Sequence, residues 1–91
     1  MSSQPPPAIP EAGRSEITLL SLGTGEVGIV TGVSSGPLRN RLLELGIVRG
    51  TPIRVVRIAP AGDPLEVVLH GFHLAIRKSE AATVQVTLDS E

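Results

Sequence analysis

One segment, Gly36–Gly50, carries the only helix pattern in a chain whose other apolar residues alternate as strand residues do. Pro37 suits a first helical position, because the N–H that proline lacks would have no partner there. Three leucines recur at helical spacing and are expected to face a core: Leu38, Leu42 and Leu45. Gly46 is predicted to end the helix in the left-handed conformation, so that Ile47 packs back on this stripe.

The flanks of the predicted helix carry side chains that suit a partner. At 100° per residue, Arg39 and Leu43 share one flank and Arg41 lies on the other, while Val48 and Arg49 follow in the loop. Two interpretations stay open. Leu43 and the basic residues form a docking face, or another segment covers Leu43 and the arginines are solvated. The residues predicted to bind a partner are Arg39, Arg41, Leu43, Val48 and Arg49.

Size and charge exclude several functions. The chain has 91 residues, a net charge of −1 and no Cys, Trp or Tyr. One small domain of this size holds a core but not a deep catalytic cleft as well. Five arginines between Arg39 and Arg57 face one acid, Glu44, which makes a local basic region in a neutral protein. Without interleaved aromatic residues this region cannot stack on bases, so no nucleic acid partner is predicted.

Location and domain limits follow from composition. No apolar run is long enough to cross a membrane, and the first residues lack a signal-peptide pattern. The protein is therefore predicted to be cytoplasmic, without direct membrane insertion. Residues 1–15 are rich in Pro and Ser and are predicted to form a disordered tail, followed by one domain at residues 16–89.

The remaining apolar residues predict a mainly β fold, a small antiparallel barrel of about five strands with one inserted α-helix. In the first strand Val27, Ile29 and Val33 are expected to share the core face. The predicted strands are Glu26–Val33, Thr51–Pro60, Leu65–Leu69, Phe72–Arg77 and Val84–Leu88.

The hairpin is the part of the sheet that the residues specify best. His70 and Gly71 form its two-residue turn. In that register three apolar pairs face each other across the strands: Leu69 with Phe72, Val67 with Leu74, and Leu65 with Ile76.

No residue pattern indicates catalysis. Gly23–Gly28 matches G-x-G-x-x-G, but a strand pattern follows it, where a dinucleotide site needs a helix. There is no nucleophile–base pair at a suggestive spacing. The protein is therefore predicted not to be an enzyme.

Metal ligands are few. His70 lies in the hairpin turn, His73 is expected on the face away from the core, and Glu66 lies diagonal to His73. A dedicated zinc site takes three or four ligands. No cofactor is predicted, and weak binding of Fe²⁺ or Zn²⁺ by Glu66, His70 and His73 is the alternative.

Three segments in this order resemble the FeoA family, small cytoplasmic accessory proteins of bacterial ferrous iron uptake. Leu38–Thr51 is similar to its R-L-x-x-L-G-hydrophobic-x-x-G segment, Ala59–Pro64 to its A-P-x-G-D-P turn, and Gly71–Ala81 to its segment ending R-x-x-E-A. The structural motif residues are Leu38, Leu42, Leu45, Gly46, Gly50, Gly62, Asp63 and Pro64.

The resemblance implies an SH3-like barrel and a role with the FeoB-type membrane transporter, on whose cytoplasmic, GTPase-containing part such a protein docks. It also implies an alternative, a metal-responsive regulatory module like the C-terminal domain of diphtheria-toxin-repressor-type regulators, with transition metal ion binding. Whether the chain forms a homo-oligomer is left open.

Overall fold

Six strands form one antiparallel sheet in the computed structural model, which describes residues 16–88. The strands are β1 (Glu16–Thr18), β2 (Val27–Val33), β3 (Pro52–Ile58), β4 (Leu65–Leu69), β5 (Phe72–Ile76) and β6 (Val84–Leu88). Their order across the sheet is β1-β6-β2-β3-β4-β5. The mainly β prediction is confirmed with one more strand than expected, because three-residue β1 is too short to show alternation. The predicted tail and Asp89 lie outside the described residues.

Three short helical segments interrupt the strands. They are a 3₁₀ turn (Leu19–Ser21), helix α1 (Arg39–Glu44) and helix α2 (Lys78–Ala81). The predicted start of α1 at Pro37 is wrong, because Leu38 is the N-cap residue and Pro37 lies in the turn before it. None of the helices in residues 16–88 has the length and apolar character needed to span a membrane.

The end of α1 is as predicted. Gly46 has φ of +98°, and its N–H donates to the Leu43 carbonyl at 3.0 Å. The Ile47 N–H donates to the Leu42 carbonyl at 3.1 Å, which completes a Schellman motif. Ile47 and Leu42 are both fully buried in the core.

The predicted leucine stripe is wrong at its last position. Leu42 is buried and Leu38 packs partly buried against the core, but Leu45 is 38% exposed. The Leu45 N–H donates to the Leu42 carbonyl as well as to that of Arg41, both at 3.1 Å. Such a tightened last turn departs from the 3.6-residue period and moves Leu45 off the stripe.

The predicted face of β2 is also wrong in part. Val30 is buried, whereas Val27 and Ile29 are half-buried. The pairing of β2 with β6 shifts register between Val30 and Gly32, so the strand contains a β-bulge at Thr31. A bulge inserts one residue and reverses the alternation, which is why Val33 still faces the core.

The predicted hairpin register is confirmed at all three apolar pairs, from Leu69–Phe72 to Leu65–Ile76. His70 and Gly71 have φ of +52° and +79°, as a type I′ turn requires. Phe72, at the tip of edge strand β5, is nevertheless 68% exposed. At the other edge β1 pairs with β6, and Glu16 lies opposite Thr87.

Candidate docking site

The site lies beside the part of β2 that is not paired with β3. The β2–β3 pairing runs from Val27–Arg54 to Ile29–Pro52. Beyond it, the loop that follows α1 closes on β2: the Gly50 N–H donates to the Val30 carbonyl at 2.7 Å, and the Val30 N–H donates to the Thr51 carbonyl at 2.9 Å. Gly50 has φ of +91°, so this tight turn suits glycine. The turn holds Arg49 beside the bulge of β2.

Two arginines occupy the edge of β2 that a neighbouring strand would otherwise take. Arg49 Nε donates to the Thr31 carbonyl at 3.2 Å. Arg39 Nη1 donates to the Val33 carbonyl. The guanidinium groups therefore satisfy carbonyls that point away from β6, and both side chains are fixed in place at an exposed surface.

These arginines border a groove of about 380 Å³. Leu43 lies in it because Arg39 and Leu43 are four residues apart and share a face of α1. Leu43 is half-buried and packs against the core, so the prediction that it lies outside the core face is wrong in part. The lining residues are Thr31, Gly32, Val33, Arg39, Leu43, Arg49 and Gln85.

Polar atoms in the groove have unused hydrogen-bonding capacity. Thr31 Oγ1 is buried and has no hydrogen-bond partner within residues 16–88. Gln85 Nε2 donates to Ser34 Oγ at 2.7 Å and to the Thr83 carbonyl at 3.3 Å. None of the described residues that line the groove is acidic. The groove thus presents two positive charges and an apolar wall.

Arg41 does not belong to this groove. Its Nε lies 3.2 Å from Glu80 Oε2, on the other flank of α1 as predicted, although its side chain is 64% exposed. Val48 is 41% exposed and stands next to Arg49 in the chain, but it does not line the groove. Of the five residues predicted to bind a partner, the structure brings three together.

The basic region is therefore divided rather than continuous. Arg54 lies on the outer face of β3, where its Nη1 is 3.5 Å from the Gly25 carbonyl. Arg57 lies at the far end of the same strand, beside Glu66 in the sheet register. Five arginines that are close in the sequence end up on three separate surfaces.

The turn motif supports the fold. Gly62 has φ of +87°, and Asp63 Oδ1 accepts a hydrogen bond from the Lys78 N–H at 3.0 Å. Asp63 and Pro64 are joined by a cis peptide bond. These contacts hold the β3–β4 turn against the first residue of α2.

The candidate metal ligands do not form a cluster. His73 lies opposite Val68 and Glu66 opposite Ala75, so His73 and Glu66 are diagonal as predicted. His70 is in the turn, where its ring is directed toward Gly46. Among residues 16–88 there is no group of three or more His, Cys, Asp or Glu placed to hold a metal ion.

The last glycine of Gly23–Gly28 serves packing. Gly28 lies within strand β2, so a strand and not a helix follows the motif, as predicted, and a Cβ on Gly28 would lie 3.0 Å from Val86 and 3.1 Å from Leu22. This glycine allows two buried layers to approach closely.

Sequence reasoning missed four groove residues: Thr31, Gly32, Val33 and Gln85. The signal that could have found them is a glycine inside a strand of β-branched residues, which often marks a bulge. Gln85 comes from the far end of the chain and reaches the groove only through the β2–β6 pairing.

A protein-family model described as "FeoA domain" matches residues 17–88. The chain belongs to the FeoA family. A curated relative from Porphyromonas gingivalis, a fusion of Fe(2+) transport protein A with the Fe(2+) transporter FeoB, is 36% identical over 73 residues. That alignment covers 79% of this chain but 9% of the fusion protein, so the chain spans less than a tenth of that relative.

Solved FeoA structures share the fold. The FeoA protein from Chlorobium tepidum is 40% identical, with a TM-score of 0.75 over 81% of this chain and 71% of its own. Stenotrophomonas maltophilia FeoA, solved in complex with zinc and described as a procaryotic SH3 domain protein, is 35% identical. Its TM-score is 0.70, over 77% of this chain and 88% of its own. The predicted SH3-like fold is thereby confirmed.

A manganese-dependent transcriptional repressor, 16% identical and with a TM-score of 0.73 over 80% of this chain and 41% of its own, shares the fold as well. T. acidophilum IdeR has a TM-score of 0.72 over 81% of this FeoA chain and 34% of its own, with 18% sequence identity. At that identity the likeness shows the fold alone.

Proposed function

We propose that this FeoA protein is a non-enzymatic accessory protein of ferrous iron uptake, which docks on the cytoplasmic part of a FeoB-type transporter. The observation that carries the proposal is the Porphyromonas gingivalis relative, in which the FeoA-like part and the transporter are one polypeptide. A covalent link keeps two modules at high effective concentration. Where the modules are separate chains, a binding surface has to replace that link.

The groove beside β2 is the proposed surface. Arg39, Leu43 and Arg49 line it, and Val48 extends it along the exposed loop. Its fixed guanidinium groups offer charge-assisted hydrogen bonds, which are about twice as strong as neutral ones. Arg41 is assigned to the contact with Glu80 instead. The protein would work in the cytoplasm, where the GTPase-containing part of such a transporter lies.

The metal-responsive alternative has no specific support in the described residues. The likeness of the fold to a manganese-dependent transcriptional repressor is at 16% sequence identity. Metal binding by Glu66, His70 and His73 stays a prediction. Calorimetric titration of Fe²⁺ and Zn²⁺ into the wild type and His73→Ala would test it, and an identical heat for both would exclude His73 as a ligand.

Binding to the transporter tests the docking proposal directly. The full chain would be titrated onto the purified, immobilised cytoplasmic region of the FeoB protein from the same organism, with and without a GTP analogue. The wild type should bind, and Arg39→Glu/Arg49→Glu should weaken binding by at least about tenfold.

A matched control separates the groove from net charge. Arg54→Glu/Arg57→Glu makes the same change in net charge on β3, away from the groove. It should bind like the wild type. Equal loss in both double variants would contradict the groove as docking site, and no binding by the wild type would contradict docking on this part of the transporter.

A further inference from the structure

Arg39 and Arg49 are anchored on alternate residues of one strand edge. Their acceptors are the carbonyls of Val33 and Thr31, which are two positions apart in β2. Alternate residues of an extended strand are separated by about 6.8 Å. The two guanidinium groups are thus anchored in a row along the edge, on carbonyls two residues apart at the bulge of β2.

Within residues 16–88, most of the donors on these two groups have no hydrogen-bond partner. A guanidinium has five N–H donors, and each of these arginines uses one on a backbone carbonyl. Within residues 16–88 neither arginine lies at ion-pair distance from a carboxylate, whereas Arg41 does. A planar group with several free donors matches a carboxylate bidentately.

The rest of the groove favours an anionic peptide over nucleic acid. Leu43 supplies an apolar wall for the methylene groups of an acidic side chain. The whole chain has a net charge of −1 and a single aromatic residue, Phe72. Binding to single-stranded nucleic acid depends on a broader positive field and on base stacking.

We propose that the groove binds an extended acidic segment of the docking partner, in which two carboxylates are separated by one residue. Each carboxylate pairs with one of the anchored arginines. The segment is recognised through its side chains, because the β2 carbonyls that could pair with an added strand are already occupied by the arginines. This inference rests on the proposed function, since it names the chemistry of the partner at the same groove.

NMR titration of the isotope-labelled full chain with synthetic peptides tests the proposal. The probe is an acetylated and amidated Gly-Ser-Glu-Val-Glu-Ser-Gly peptide, and the spacing control is Gly-Ser-Glu-Glu-Val-Ser-Gly. The alternating peptide should shift the amide signals of Thr31, Gly32 and Val33 and should bind more tightly than the control. Equal affinity for the two peptides, or shifts that are absent from β2, would overturn the proposal.

Three variants make the test specific. Arg39→Gln/Arg49→Gln should lower the affinity for the alternating peptide about tenfold. Arg49→Lys should lower it as well, because lysine keeps the charge but lacks the planar guanidinium fork that makes two parallel hydrogen bonds to a carboxylate. Arg54→Gln/Arg57→Gln should bind like the wild type. A wild-type affinity in Arg49→Lys would overturn recognition by the guanidinium fork. If a ten-nucleotide oligothymidylate bound more tightly than the peptide, the proposal of an acidic peptide ligand would be overturned. The groove would then be a site for a phosphate backbone.

The peptide experiment and the transporter experiment test different claims, so one claim can be contradicted while the other stands. If the transporter region binds through the groove and the alternating peptide does not, docking stands and the acidic segment is wrong. If the peptide binds in the groove and the transporter region does not bind at all, the acidic-peptide site stands and the proposed function is wrong.

Discussion

Glu80 and Arg41 join helices α1 and α2, with Arg41 Nε 3.2 Å from Glu80 Oε2. The other oxygen of Glu80 accepts a hydrogen bond from the Arg77 N–H at 2.9 Å. Glu80 is one of two buried polar residues among residues 16–88 and is 5% exposed. Its carboxylate is thus buried with a partner on each oxygen.

The Glu80 contacts predict a graded loss of stability. Glu80→Ala leaves the Arg77 N–H without its acceptor and should lower the free energy of unfolding by about 1–3 kcal/mol. Glu80→Gln keeps an acceptor oxygen and should cost less. Arg41→Gln should cost less than about 1 kcal/mol, because the arginine is mostly exposed. Urea denaturation measures all three. Equal losses for the alanine and glutamine variants would show that the charge matters and the acceptor does not.

Gly46 should not tolerate a side chain. It has φ of +98°, and a Cβ there would lie 3.2 Å from the His70 ring. Gly46→Ala should therefore lower the free energy of unfolding by about 1–2 kcal/mol from the backbone conformation alone. The control is the same substitution in a His70→Ala background, which removes the ring contact. A full recovery of stability there would mean that crowding, rather than backbone strain, causes the loss.

Two glycines of β2 should respond oppositely to alanine. A Cβ on Gly28 would lie 3.0 Å from Val86, so Gly28→Ala should destabilise by about 1–3 kcal/mol through overpacking. A Cβ on Gly32 would have Gln85 Oε1 at 3.6 Å, an ordinary contact, and Gly32 has no left-handed φ. Gly32→Ala should therefore stabilise by up to about 1 kcal/mol. Thermal unfolding of both variants decides this, and a loss at both positions would contradict it.

Two leucines of the α1 segment should differ in their tolerance of charge. Leu43 packs against the core, so Leu43→Glu should lower the free energy of unfolding by at least about 1 kcal/mol. Leu45 is 38% exposed, so Leu45→Glu should change it by less than about 0.5 kcal/mol. Chemical denaturation compares them. If Leu43→Glu left the free energy of unfolding unchanged, the packing of Leu43 against the core would contribute little to stability. The variant would then test docking without a loss of fold.

Local patterns predicted most of the fold. The hairpin register and the end of α1 depend on neighbouring residues, such as His70, Gly71 and Gly46, and both are confirmed. The errors occur where one residue interrupts the regular repeat of a strand or of a helix. The bulge at Thr31 reverses the alternation of β2, and the tightened last turn of α1 moves Leu45 into solvent.

The candidate site was predictable only in part. Arg39 and Leu43 share a helix face, which their spacing shows. The placement of Arg49 on the Thr31 carbonyl depends on how the loop after α1 folds back on β2. Gln85 enters through strand pairing across more than fifty positions of the chain. Such contacts depend on tertiary structure and leave no local pattern.

The pairing of Glu16 with Thr87 has a consequence for how this domain can be combined with others. The first and last described residues lie on neighbouring antiparallel strands, so the two ends of the folded unit are adjacent. A unit of this kind can be placed inside a surface loop of another protein, or joined at either end, without crossing its own core. The same topology therefore serves a free-standing chain and a cassette within a larger polypeptide.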